Sequence, residues 1–96
     1  MEQITLQSPH AYPLRELVEG ALANEIRILR AGVQRTEMHL RDYEEKYQRT
    51  TAEFLNQQAD DDLGETLELI EWAGEARLLQ RLHQKLEVLQ DIQIAN

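Results

Sequence analysis

The 96-residue chain contains no cysteine. Disulfides, thiol catalysis and cysteine-ligated zinc are therefore excluded, and a thiol-free chain suits a reducing compartment. Ser8 is the only serine. It has no nucleophile elbow around it, and a pairing with His10 would have no third group to orient it. Glycine is sparse and scattered (Gly20, Gly32, Gly64, Gly74), so no glycine-rich phosphate loop exists. With only two prolines, few breakers interrupt long helices. No stretch approaches the ~20 apolar residues of a membrane span. Met1 to Gln7 has neither a basic n-region nor an apolar h-region, so a cytoplasmic protein without membrane contact is expected.

Basic charge is also short. Ten Lys and Arg face eighteen Asp and Glu, for a net charge of −8. Duplex recognition needs clustered cations on phosphates, so direct nucleic-acid binding is not expected. Arg27, Arg30, Arg35 and Arg41 alternate with Glu25, Glu37 and Asp42, which reads as a solvated face of mixed charge. An acidic chain of this kind suits a basic protein partner.

What is abundant is apolar residue at helical spacing. Leu22, Ile26, Leu29, Val33, Thr36, Leu40, Tyr43 and Tyr47 follow one another in steps of four and three. That spacing keeps one stripe of a helix toward a neighbouring helix. A second stripe runs through Trp72, Ala76, Leu79, Leu82, Leu86 and Leu89, with Leu78 beside it. Leu67, Ile70, Val88 and Ile92 lie off that stripe, so this helix is apolar on more than one face and asks for two neighbours.

Punctuation divides the chain. Residues 1–12 read as an extended arm in which Ile4 and Leu6 alternate with polar neighbours. Ser8-Pro9 and Tyr12-Pro13 block helix entry before position 13. The first helix is predicted over about 13–47, with Pro13 in its first turn. Thr50 and Glu53 form a Thr-x-x-Glu capping box for a short helix over about 51–57 carrying Phe54 and Leu55. Ala59 to Asp62 reads as a polar break, and Asp61 or Asp62 is the expected cap of a third helix over about 63–92. Two long helices joined by about fifteen residues fold back antiparallel. The expected architecture is all-α, a coiled-coil-like hairpin domain over 13–96 that forms a dimeric bundle.

No constellation carries chemistry. The Glu-x-x-His motif of bundle metal sites is absent, because Thr36 precedes His39 and Gln80 precedes His83 at that spacing. His10 lies in the arm. Asp60 to Glu65 lacks the alternating ligands of a calcium loop. No cofactor, metal or enzymatic activity is expected. Glu71-Trp72-Ala73-Gly74-Glu75-Ala76 is the most distinctive segment: Trp72 either fills the hairpin core or anchors a partner, and Gly74 in mid-helix permits close approach of another backbone.

The pieces Glu45-Lys46-Tyr47, Thr51-Ala52-Glu53-Phe54-Leu55, Asp60 to Leu63 and Ile70-Glu71-Trp72-Ala73-Gly74 give the chain a family likeness over about residues 14–92. It resembles small prokaryotic helical proteins that look like the antitoxin halves of two-gene toxin–antitoxin pairs. The resemblance implies a protein that binds and neutralises a toxic, often RNA-targeting, enzyme. Members often carry Gly after Lys-Tyr where this chain has Gln48, so a differently shaped turn is expected there. The contact candidates are Ile4, Leu6, Tyr12, Phe54, Leu55 and Trp72. Leu22, Ile26, Leu29, Val33, Leu40, Tyr43, Tyr47, Leu79, Leu82, Leu86 and Leu89 form the expected oligomer seam, in a homo-oligomer or a heteromer. The alternative function is that of a self-assembling scaffold.

Overall fold

The computed structural model describes residues 2–60 and 66–94. All regular structure among them is helical: α1 spans Leu14–Tyr47, α2 Thr51–Asp60 and α3 Leu67–Gln90. At 34 residues, α1 is about 51 Å long. α3 folds back along it, and α2 sits at the closed end of the hairpin.

Local chemistry sets each boundary. Pro13 stands outside α1 as its N-cap rather than in its first turn, with ψ at 94°. Thr50 caps α2: its Oγ1 accepts from the Glu53 amide at 3.1 Å and donates to Glu53 Oε1 at 3.1 Å. A second closure comes from α1, where the Glu44 carboxylate accepts the Thr51 amide at 2.7 Å. α2 continues to Asp60, past the expected end at 57, taking in Ala59 and Asp60 of the expected polar break. α3 starts at Leu67, capped by Thr66, whose Oγ1 accepts the Leu69 amide at 3.2 Å. The expected Asp61 or Asp62 cap lies outside the described residues. α3 ends at Gln90, two residues before the expected limit.

Gln48 corrects the expectation of an altered turn. Its backbone takes the left-handed conformation usually given to Gly, with φ 52° and ψ 46°. Its side-chain Nε2 donates to the Glu45 carbonyl at 2.7 Å, which helps hold it there.

The hairpin register is fixed by pairs along its length. Lys46 Nζ pairs with Glu68 at 2.7 Å. The Tyr43 hydroxyl donates to Glu71 Oε2 at 3.3 Å, and His39 Nδ1 lies 3.3 Å from Glu75 Oε1. Farther along, a Cβ at Gly32 would touch Leu82 Cδ1 at 3.5 Å, so Gly32 of α1 packs against Leu82 of α3. At Gly74 a Cβ would meet open space, which overturns its expected role in close approach within the chain. Leu29, Val33, Thr36 and Leu40 are buried along the seam. Leu22, Ile26, Tyr43, Tyr47, Leu79, Leu82, Leu86 and Leu89 are half-buried. The expected oligomer seam is thus occupied as the hairpin's internal seam.

The shape is elongated, 59 × 24 × 19 Å, with a radius of gyration of 19.1 Å; a compact domain of this length would have about 12.5 Å. The accessible surface is 7971 Å², whereas a compact monomer of this mass exposes about 5,700 Å².

A non-glycine residue in the left-handed region carries a steric cost. Gln48→Gly is therefore expected to raise unfolding free energy by up to about 1 kcal/mol. Urea denaturation of the two proteins checks this; an equal or lower midpoint for the glycine variant would show that the Gln48 side-chain bond outweighs backbone strain.

Candidate interaction surface

The closed end of the hairpin is organised around Trp72. The sequence places it on α3 opposite Tyr43 and Tyr47, and the capped start of α2 delivers Phe54 to its face. Phe54 stacks on Trp72 with ring centroids 4.0 Å apart and 5° between planes. Tyr43 and Tyr47 lie at 5.6 and 5.4 Å, also near parallel. Trp72 Nε1 donates to Thr51 Oγ1 at 3.0 Å, so the one polar atom of the indole is satisfied by the first residue of α2. Leu40 and Ala73 complete the buried cluster, with Leu69, Ala76 and Leu79 packed around it.

This geometry separates the contact candidates. Trp72 and Phe54 are 0% and 1% exposed, so neither is available to a partner, and the core reading of Trp72 replaces the anchor reading. A short helix without its own core must bury its largest ring against the hairpin. Leu55, the next residue on α2, remains exposed. It lies on the rim of a shallow groove of about 450 Å³ between α2 and the long helices, floored by Leu40, Ala76 and Leu79 and edged by Glu37, Arg41 and Glu44.

Ile4, Leu6 and Tyr12 do not line that groove. They belong to the extended arm before α1 and are all exposed, Ile4 at 82%. The arm's only recorded hydrogen bond among the described residues is from the His10 amide to Ser8 Oγ, at 3.2 Å. The arm and the Leu55 groove are thus two separate candidate surfaces. The arm's end of α1 is tied to the end of α3's chain by Arg15 Nη2, which donates to the Ile94 carbonyl at 2.9 Å.

The charges at the closed end are engaged with one another. Burial, followed by the charge of Glu71 and its hydrogen bond, pushes the Tyr43 phenol above its ordinary 10.0. The hydrogen bond from Lys46 to Glu68 raises the lysine from 10.5. Glu75 Oε2 is buried without a partner among the described residues, while its Oε1 meets His39. No group of three or more His, Cys, Asp or Glu among the described residues is placed to hold a metal ion. No helix among them is long and apolar enough to cross a membrane.

Sequence reasoning missed Glu44 and Thr51. Each is an ordinary helix-end residue by pattern, and only the fold brings Glu44 to the start of α2 and Thr51 to the indole. Comparison with protein-family models, with curated proteins and with solved structures finds no match.

Trp72→Ala removes the hub of the stack and is expected to cost about 3–5 kcal/mol, a large share of a small domain's stability. Thermal melting followed by circular dichroism checks it; a loss below about 1 kcal/mol would mean that the cluster does not hold the fold together. Tyr43 gives a pH dependence. Its raised folded-state value means its contribution is fully present below about pH 10 and is lost as pH rises further. The melting temperature should fall in that alkaline range, and fall less steeply in Tyr43→Phe; equal slopes would exclude Tyr43 as the cause.

Proposed function

We propose that this chain is a non-enzymatic interaction protein, an antitoxin-like partner that binds and neutralises a basic toxic enzyme in the cytoplasm. The observation that carries the reading is the arm. It lies outside the helices, alternates apolar and polar residues, and leaves Ile4, Leu6 and Tyr12 exposed. An exposed extended segment of this kind suits addition to a partner's sheet edge, where main-chain bonds give affinity and alternate side chains give specificity. The chain's acidic surplus matches a basic substrate-binding surface. The mechanism is steric: the arm and helical surfaces cover the enzyme's cleft, and no chemistry is needed from this chain. The antitoxin assignment itself rests on the sequence resemblance over residues 14–92.

A second reading, self-assembly, is favoured by the 7971 Å² of exposed surface on so small a chain. The two readings are compatible, because the surfaces involved differ.

A tagged chain recovered from its source cell should carry one basic protein at fixed stoichiometry, and co-expression should relieve that protein's toxicity. Replacing Ile4 and Leu6 together with Asp should weaken the complex at least tenfold, about 1.4 kcal/mol, without changing the helical melt. Persistent toxicity on co-expression would overturn the neutraliser reading. Unchanged affinity in the double variant would remove the arm from it.

A further inference from the structure

The folded register gathers charge that is scattered in the sequence. Residues 26–36 of α1 carry Arg27, Arg30 and Arg35 and no carboxylate; residues 76–86 of α3 carry Arg77, Arg81 and Lys85 and no carboxylate. The contact of Gly32 with Leu82 sets these two stretches side by side. Six of the chain's ten cations therefore form one belt across the middle of an acidic hairpin, all exposed. None of the six is in an ion pair with another described residue. The stretch from 37 to 75 is the opposite, with twelve acidic against three basic residues.

The same register defines one flank. The pairs Lys46–Glu68, Tyr43–Glu71 and His39–Glu75 all lie on it. Helical period adds Leu67 one turn before Glu71, then Leu78 and Lys85 two and four turns after it. On α1 it adds Arg35 one turn before His39 and Ile28 three turns before. Leu67, Leu78 and Ile28 are exposed there, Leu67 at 72%. Gly74 leaves the same flank flat, with nothing within 4 Å of the place its Cβ would take.

We infer that this flank binds a second copy of the chain, antiparallel about a two-fold axis at the level of Leu78 and Thr36. This deepens the self-assembly reading. In that arrangement α3 lies on the partner's α3 and α1 on the partner's α1. Leu78 meets the partner's Leu78. Glu71 stands opposite the partner's Lys85, and Glu75 opposite the partner's Arg81. Arg35, Arg81 and Lys85, the belt cations on or beside this flank by helical period, thereby face the other copy's acidic end, twice over by symmetry. A parallel or unstaggered pairing would instead set belt on belt.

The area supports a second copy. The chain, its exposed arm included, shows about 2,300 Å² more surface than a compact monomer of its mass, and a standard interface takes about 800 Å² from each partner. The stagger leaves the first turns of α1 outside the overlap at both ends. α2 lies on the other side of the hairpin from this flank, so Leu55 also stays free.

Sedimentation velocity on the purified full chain tests the arrangement without any toxin present, so its outcome is separate from the neutraliser reading. A salt-sensitive dimer is expected. Glu71→Lys and Lys85→Glu should each weaken it about tenfold or more, and the double variant, which rebuilds the pair with its signs exchanged, should restore it. Because Glu71→Lys also removes the Tyr43 hydrogen bond, helical melts run alongside, and Leu78→Cys gives an independent readout. In this cysteine-free chain that residue should form a disulfide-linked dimer under mild oxidation, while Gln80→Cys on the opposite flank should not. A monomeric wild type overturns the proposal, as does a dimer indifferent to both reversals or one that the double variant fails to restore.

Discussion

The parallel stack of Phe54 on Trp72 is the contact on which the rest of the structure depends. α2 has ten residues, too few to persist alone in water. It is held because its first residue, Thr51, satisfies the indole N–H while its fourth, Phe54, covers the indole face. Tyr43 and Tyr47, one helical turn apart on α1, reach the same ring. One side chain of α3 thus joins all three helices. Aromatic pairs in offset or parallel contact add about 0.5–1.5 kcal/mol beyond their area, and three such pairs share this one residue.

Fixing that end fixes the register of everything beyond it. With Trp72 seated between Tyr43 and Tyr47, α3 has no freedom to slide, because a shift of one turn would part Lys46 from Glu68 and His39 from Glu75 together. Exposed ion pairs contribute little each. Their role here is selective: they favour one alignment of two seams whose leucines alone would tolerate several.

The fold was legible where a pattern repeats and obscure where one contact decides. The steps of four and three from Leu22 to Tyr47 marked α1 as one long helix, Pro13 placed its start within one residue, and Thr50 with Glu53 marked the start of α2. The end of α2 was not legible, since the acidic run after Ala59 reads as a break although Ala59 and Asp60 continue the helix. Thr66 went unseen as a cap because acidic candidates preceded it. Of the contact candidates, Phe54 and Trp72 were misplaced for one reason: large aromatic residues are enriched both in cores and in interface anchors, and composition does not separate the two. Exposure of Ile4, Leu6 and Tyr12 followed from the prolines that keep the arm out of α1. Gln48 shows the opposite limit, because a backbone conformation read as needing Gly is adopted with another residue when a local bond helps hold it.

Charge is where linear reading and structure diverge most. Along the sequence, Arg27 to Arg35 sit within sight of Glu25 and Glu37, and Arg77 to Lys85 sit between Glu75 and Glu87, so each run looks locally balanced. Folding lays one run beside the other and moves the carboxylates to the ends of the belt. A hairpin only two helices thick cannot bury such a belt or screen it with its own acids. A thin core, a large exposed surface and segregated charge therefore have one common origin in the antiparallel register. The proposed pairing would relieve each, apposing the basic middle of one hairpin to the acidic end of another and covering apolar residues such as Leu67 and Leu78 that the single hairpin leaves in water.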